Sequence, residues 1–460
     1  MRWRASAVAA AVGGSLHGPD VDVDGATIDS RHVRGGELFV PVRAVRDGHD
    51  FIPAALAAGA AAYLTARAPV GGTAVSVADP AAALTDLGRA ARARLPDRVV
   101  GVTGSAGKTS TKDLLAAALT GPFRPAASER SFNNELGVPL TMVNVPDDAD
   151  AAVVELGARG IGHIRRLCAV ARPTVGVVTN VGLAHTEMLG DLDGVARAKA
   201  ELVEALPSSG TAVLNAEDER VAAMRSVTAA RVLTFGIERG DVRAADLALD
   251  AELRPAFRLL SPWGGAHVRL EVRGAHHAAN AAAAAAAALA VGAPLEAVAA
   301  GLGRARLSPW RMEMSRSAAG GVVLNDAYNA NPSSTEAALR SLSVIAARRR
   351  VAVLGPMLEL GDHAEPAHRR VAALAASLGI QLVTVDAPAY GAEDVADVEA
   401  AAAAVGTVGP GDAVLVKGSR AAGLERLAAL LLASASPASP PPGPAGPAPG
   451  APPPAETVGW

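Results

Sequence analysis

Lys108 and Thr109 follow a pair of spaced glycines in the stretch Gly104-Ser105-Ala106-Gly107-Lys108-Thr109. The apolar run Val99–Thr103 precedes it, and a helix-like segment extends from Thr109 to Leu119. A strand, a glycine-rich turn and Lys-Thr at a helix start make a cradle for nucleotide phosphates. The glycines let backbone N–H groups converge on phosphate oxygens, and the helix N-terminus adds positive potential. In such a cradle the Lys108 ammonium reaches the β- and γ-phosphates and the Thr109 hydroxyl holds magnesium. Gly104, Ser105, Ala106, Gly107, Lys108, Thr109 and Ser110 are therefore the candidate nucleotide-binding residues. Val102 stands where the longer form of this loop has its first glycine, so the spacing is a shortened Gly-x-x-Gly-Lys-Thr. The chemistry expected is that of ATP or GTP.

Two further apolar runs end in residues suited to the same chemistry. Val153-Val154-Glu155 ends in a carboxylate, and Glu155 at a strand end could coordinate a second magnesium or cap the following helix. Thr179-Asn180-Val181-Gly182 leads to His185, either a metal ligand or a loop histidine bonded to backbone. Carboxyl ends of parallel strands gather at one edge of a sheet, where ligands bind. Lys199, in an amphipathic helical pattern, is by residue type alone a solvated helix lysine. Polar clusters lie on otherwise apolar ground at His276-His277-Ala278-Ala279-Asn280, Trp310-Arg311-Met312-Glu313 and Asn325-Asp326-Ala327-Tyr328-Asn329-Ala330-Asn331-Pro332. Their density of hydrogen-bonding groups suits a ligand-facing loop, although Asn and Asp also form turns. Lys417 and Arg420 end the last strand-like run with two cations suited to an anionic substrate group.

The elements that must position these residues alternate between strand and helix. Apolar runs at 99–103, 151–155, 175–179, 212–214 and 232–235 predict a largely parallel sheet with helices on both faces over residues 96–305. A smaller α/β module occupies 1–95, with strand-like pieces at 26–28 and 37–40. A third α/β unit occupies 306–433, with strands at 322–325, 351–354, 382–385 and 413–416. Residues 434–460 shift to Pro, Ala, Gly and Ser, a composition expected to stay disordered. A length of 460 residues suits about two to four domains. The net charge of −3 offers no electrostatic case for nucleic acid or an acidic membrane surface. With Cys168 alone, no internal disulfide can form, which suits a reducing cytoplasm. Arg2, Arg4 and the run Ala5–Gly14 mimic the start of a secretory signal, but the run has no leucine block and is expected to be a helix of the mature protein. The run Ala281–Ala288 is too short and weakly apolar to span a bilayer; a buried, close-packed helix is expected.

Together these segments resemble the Mur ligase family of peptidoglycan synthesis, from about Asp29 to Glu425. The resemblance rests on the shortened loop at 104–109, Ser131-Phe-Asn-Asn-Glu-Leu-Gly-Val-Pro139, Glu155-Leu-Gly, Thr179-Asn-Val-Gly, Ala184-His185, the 325–332 cluster, Leu358-Glu-Leu-Gly361 and Lys417-Gly-Ser-Arg420. Asp29-Ser30-Arg31, Gly36–Val40 and Asp47–Phe51 resemble the family's UDP-binding module. The resemblance implies three domains: a UDP-sugar module, a central ATPase-like domain and a Rossmann-like C-terminal domain. It also implies a cytoplasmic reaction, expected of a monomer without membrane insertion. ATP would phosphorylate the terminal carboxylate of UDP-N-acetylmuramoyl-tripeptide, and the amine of D-Ala-D-Ala would capture the acyl phosphate. By resemblance, Lys108, Glu155, His185 and Lys199 are catalytic, and Thr109, Glu155, His185 and a carbamylated Lys199 would serve magnesium. Asn280 and Arg311 would contact adenine and phosphate, and Asp326 the ribose. Ser30 and Arg31 would hold UDP, while Asn133, Asn134, Tyr328, Asn329 and Asn331 would lie near substrate. Two positions depart from the family pattern: His277 stands where asparagine is usual, and Pro356 replaces a usual aspartate. The alternatives are a related ligase with another acid donor or amine acceptor, or a non-catalytic nucleotide-binding scaffold. The Lys108, Thr109, Glu155 and His185 set argues against the scaffold.

Overall fold

Valine-rich runs of four to six residues, too short for stable helices and closed by Gly, Asn or Thr, become the buried strands of a nine-stranded central sheet. The computed structural model describes residues 1–129 and 132–433. Ser131 and the tail at 434–460, expected to be disordered, lie outside the described residues. From one edge the central sheet runs Gly264–Arg269, Pro255–Ser261, Val242–Leu249, Arg231–Gly236, Thr211–Asn215, Val175–Val178, Val99–Thr103, Ala151–Glu155 and Pro125–Ala127. The pairings from Val242–Leu249 to Pro125–Ala127 are parallel, as expected from the alternation with helices. The last two strands, Pro255–Ser261 and Gly264–Arg269, add antiparallel. That extension is absent from the sequence expectation. Its strands alternate buried and exposed residues, so they never form the continuous apolar runs of strands buried on both faces.

The strand Val99–Thr103 lies between Ala151–Glu155 on one side and Val175–Val178 on the other. After it the chain moves to one edge and returns, then crosses to the opposite side. That reversal of strand order opens a crevice at the carboxyl ends, where the phosphate loop sits.

Helices cover both faces of the sheet. On one side lie Lys108–Leu119, His276–Val291 and Leu295–Arg304. Ala281 through Ala288 are each fully buried, so the expectation of a close-packed alanine helix is met. Methyl side chains let this helix approach both the sheet and Lys108–Leu119 closely. On the other side, Pro80–Ala93, Gly137–Val143, His163–Ala171 and Leu192–Glu204 share one core with Leu38, Val40 and Leu64 of the N-terminal sheet. The N-terminal unit thus packs as a continuation of the central one. Its five strands run Ser15–His17, Ala74–Ser76, Ala62–Thr65, Leu38–Phe39 and Ala26–Thr27, and its first helix is Ala5–Ala11.

The C-terminal sheet runs Glu313–Arg316, Val322–Asn325, Asp412–Lys417, Arg349–Leu354, Gln381–Val385 and Glu393–Val395, antiparallel only at its first pair. Pro332–Ser343 and Ala364–Ser377 cover one face, and Val398–Val405 with Glu425–Ala433 the other. No described helix is long and apolar enough to cross a membrane.

Candidate active site

The phosphate loop is built by buttressing. Asn180, at the end of the neighbouring strand, accepts from Ala106 N at 2.8 Å through its Oδ1 and from Ser105 N at 3.0 Å through its carbonyl. The Thr179 hydroxyl donates to Ala106 O at 2.6 Å, and Ser105 Oγ exchanges hydrogen bonds of 2.9 Å with the Gly182 backbone. Thr179-Asn180-Val181-Gly182 therefore holds the loop's shape, a role that spacing alone did not reveal.

Gly104 sits at φ +149°, and a Cβ there would stand 1.8 Å from Thr179 Oγ1; Gly107 sits at φ +80°, with Asn280 Oδ1 2.6 Å from such a Cβ. Gly104→Ala is accordingly expected to displace Thr179 and abolish nucleotide binding. Isothermal titration with ADP would check this, with a melting curve to read the accompanying loss of about 1–3 kcal/mol of stability.

Helix Lys108–Leu119 begins on this loop, and its first N–H groups have no acceptor within the helix. Lys108 Nζ lies back on Gly104 O at 2.8 Å, and burial pushes its ammonium below the usual lysine value. The Thr109 hydroxyl donates to Glu155 Oε2 at 2.7 Å, while Asn133 Nδ2 donates to Glu155 Oε1 at 2.8 Å. Glu155 is 1% exposed, so its carboxylate is aimed inward at the loop helix. Asn134 caps the next helix through Gly137 N at 2.8 Å.

Lys199 is 2% exposed, which overturns its reading as a solvated helix lysine. The helix Leu192–Glu204 turns this face inward, and no hydrogen-bond partner for the Lys199 ammonium is found among the described residues. Burial first, and the nearby Lys108 charge second, push it down to about 7. His185, at φ +57°, starts the short helix Thr186–Leu189. Its Nδ1 stands 2.5 Å from Glu359 Oε2. Burial, then Lys108, push the imidazole down to about 4 in spite of that carboxylate.

Glu359 belongs to the C-terminal unit, and sequence reasoning gave it no role. Its loop is pinned at several polar backbone groups. Gly355 N donates to Lys417 O and Tyr390 OH to Gly355 O; Ser419 N donates to Pro356 O, Met357 N to His368 Nε2, and Leu358 N to Ser419 Oγ. The central unit adds Glu187 N to Glu359 O at 3.3 Å and the Thr186 hydroxyl to Leu360 O at 2.8 Å. A positive φ at Glu359 gave no signal in the sequence.

The 325–332 cluster mixes two roles. Asn331 caps Pro332–Ser343 and also donates from Nδ2 to Ser105 O at 3.1 Å, tying the C-terminal unit to the phosphate loop. Asp326 Oδ2 accepts from Lys417 Nζ at 2.6 Å, and Asn329 O accepts from the same ammonium at 2.8 Å. Lys417 is thus held by Asp326 and Asn329 while it lines the cleft. Arg420 pairs with Glu425 at 2.8 Å and lies over Trp310. Arg311 stacks on Tyr328 with its guanidinium carbon 4.3 Å from the ring centre. His277, 2% exposed, faces Asn280 Nδ2 at 3.2 Å and stacks beside His276, and both imidazoles are pushed down by burial.

These residues line one cleft of about 810 Å³ between the central and C-terminal units. It gathers 105–110, Asn133, Asn134, Glu155, His185, Asn280, Arg311, Asp326, Tyr328, Asn329 and Asn331. Phe235 and Ile237 add apolar lining that suits a base. Ser30 and Arg31 are not among its lining residues; Arg31 forks onto Asp29 at 2.9 and 2.6 Å in a turn of the N-terminal unit.

Comparison with known proteins bears on this cleft. Residues 22–95 match the "Mur ligase family, catalytic domain", 102–288 the "Mur ligase middle domain" and 310–420 the "Mur ligase, glutamate ligase domain". The UDP-N-acetylmuramoyl-tripeptide–D-alanyl-D-alanine ligase of Mycobacterium bovis is 41% identical over 466 residues, covering 88% of this chain and 91% of the relative. The chain belongs to the Mur ligase family. Among solved Mur ligases, a MurF from Acinetobacter baumannii superposes with a TM-score of 0.83 at 30% identity, covering 94% of this chain and 99% of that one. A MurF from Thermotoga maritima, in complex with ADP, has a TM-score of 0.78 at 27% identity, covering 89% of this chain and 97% of that one. The Mur ligase resemblance inferred from the motifs is thereby borne out, together with its three α/β units.

Proposed function

We propose that the chain is an ATP-dependent ligase that joins D-alanyl-D-alanine to UDP-N-acetylmuramoyl-tripeptide through an acyl phosphate. The observation that carries this reading is the 41% identity to a ligase of that name along nearly the whole of both chains. The cleft supplies a matching chemistry. Transfer of the γ-phosphoryl group to a carboxylate needs charge neutralisation and positioning more than a general base. Lys108 and the N-terminus of its helix would face the phosphates, and Asn280 and Arg311, which line the same cleft as Phe235 and Ile237, would contact the rest of the nucleotide.

Thr109 and Glu155 bring a hydroxyl and a carboxylate together at 2.7 Å, the hard oxygen donors that magnesium prefers. Magnesium would supply neutralisation of the phosphoryl oxygens as they transfer. Imidazole held neutral at His185 keeps a lone pair available as a further ligand. Lys199, with a value near 7, presents a neutral amine able to add CO2; the resulting carbamate would place two more oxygens beside the same site. Asp326, Tyr328, Asn329 and Asn331 line the same cleft, and Asn331 also ties the C-terminal unit to the loop. Ser30 and Arg31 would hold UDP on the N-terminal unit. Domain limits near 95, 305 and 433, a monomeric state and a cytoplasmic location complete the reading.

The test is direct. Incubation with ATP, magnesium, UDP-N-acetylmuramoyl-tripeptide and D-Ala-D-Ala should yield the pentapeptide and phosphate in equal amounts, and hydroxylamine should trap an activated acyl group when the dipeptide is left out. No peptide bond and no hydroxamate would refute the proposal.

A further inference from the structure

The cleft is lined by arginines whose commitments differ. Among the cleft-lining arginines, Arg159 lies 3.8 Å from Glu359, Arg311 stacks on Tyr328, and Arg420 pairs with Glu425 and covers Trp310. Arg166 also lines the cleft, yet no ion pair or hydrogen bond of its guanidinium is found among the described residues. Its neighbour Arg165 points elsewhere and pairs with Glu204 at 2.8 Å.

The backbone beneath Arg166 is held firmly. The helix His163–Ala171 follows Gly162, and the 2%-exposed Glu201 carboxylate accepts from Gly162 N and from Arg165 N at its start. His163, one turn before Arg166, lines the cleft from the same helix face, as positions three apart do. An uncommitted guanidinium and an imidazole thus share a fixed helix face. They line the same cleft as Asn133, Asn134, Glu155, Gly157 and Ala158. A planar fork of this kind matches a carboxylate.

We propose that Arg166, assisted by His163, binds a side-chain carboxylate on the last residue of the acyl donor and so selects donors ending in an acidic diamino acid over those ending in lysine. This rests on the acyl-donor reading above. The two donors carry the same reacting carboxylate and differ in one further carboxylate, so a guanidinium that reads the latter separates them without touching the reaction.

Steady-state kinetics of the full chain with UDP-N-acetylmuramoyl-tripeptides ending in 2,6-diaminopimelate or in lysine would test it. For Arg166→Ala, KM for the diaminopimelate donor should rise about 10- to 100-fold, as loss of a charge-assisted pair implies, while KM for the lysine donor changes less than about twofold. Arg166→Lys should recover part of the preference. Unchanged KM for ATP in both variants would show that the fold is intact. An equal rise for both donors, or no rise for either, would overturn the assignment while leaving the ligase reading standing. If the unaltered enzyme ligated neither donor, the ligase reading itself would fall and carry this one with it.

Discussion

Lys108→Ala is expected to lower kcat at least about 100-fold, with the KM for the peptide donor nearly unchanged. The Lys108 ammonium is half-buried at the start of the loop helix, 2.8 Å from Gly104 O, with no carboxylate within ion-pair distance among the described residues. A charge kept from water and left without a counter-ion is costly unless a ligand supplies the negative charge. Triphosphate does so, and its demand grows as charge spreads over the transferring oxygens. Removing the ammonium therefore weakens the transition state more than the ground state. Rapid-quench measurement of acyl phosphate would place the loss on the first chemical step. A variant that kept near-normal turnover would remove Lys108 from the mechanism.

Lys199→Ala should cost about 10- to 100-fold in turnover, the range seen when a group organising a metal site is lost. Millimolar formate or acetate should restore part of it. The basis is the value near 7 that burial and Lys108 impose on this amine. An ordinary lysine is almost wholly protonated at neutral pH and cannot add CO2, whereas this one is neutral in substantial part. Because the value is lowered, the neutral fraction rises as pH increases through about 7 and falls below it. Wild-type activity should therefore drop below about pH 6.5, and CO2-depleted buffer should lower it further. The formate-rescued variant should be insensitive to CO2. Full activity of Lys199→Ala without added carboxylate would dismiss the carbamate.

Legibility in the sequence followed the local character of each feature. The phosphate loop, Glu155 and the strand ends around them were readable because a turn, a buried run and a helix start are encoded by neighbouring residues. The buried position of Lys199 was not, since it depends on how Leu192–Glu204 packs against strands far away in the chain. Nor were the committed states of Lys417 and Arg420, which rest on Asp326 and Glu425. Glu359 escaped notice for the same reason. Its segment was visible as a motif, but its contact with His185 exists only once two units meet. The antiparallel strands at 255–269 were missed because one face is exposed and their alternation dilutes the apolar signal.

The alanine helix beneath the phosphate loop has a thermodynamic consequence. Eight successive positions, 281–288, sit in the interior with no rotatable side-chain torsion beyond a methyl spin. Folding this layer freezes backbone alone, so it forgoes the side-chain entropy loss that leucines or methionines would incur there. The floor under the nucleotide has no alternative rotamers to sample, and thermal motion there must involve whole elements moving together.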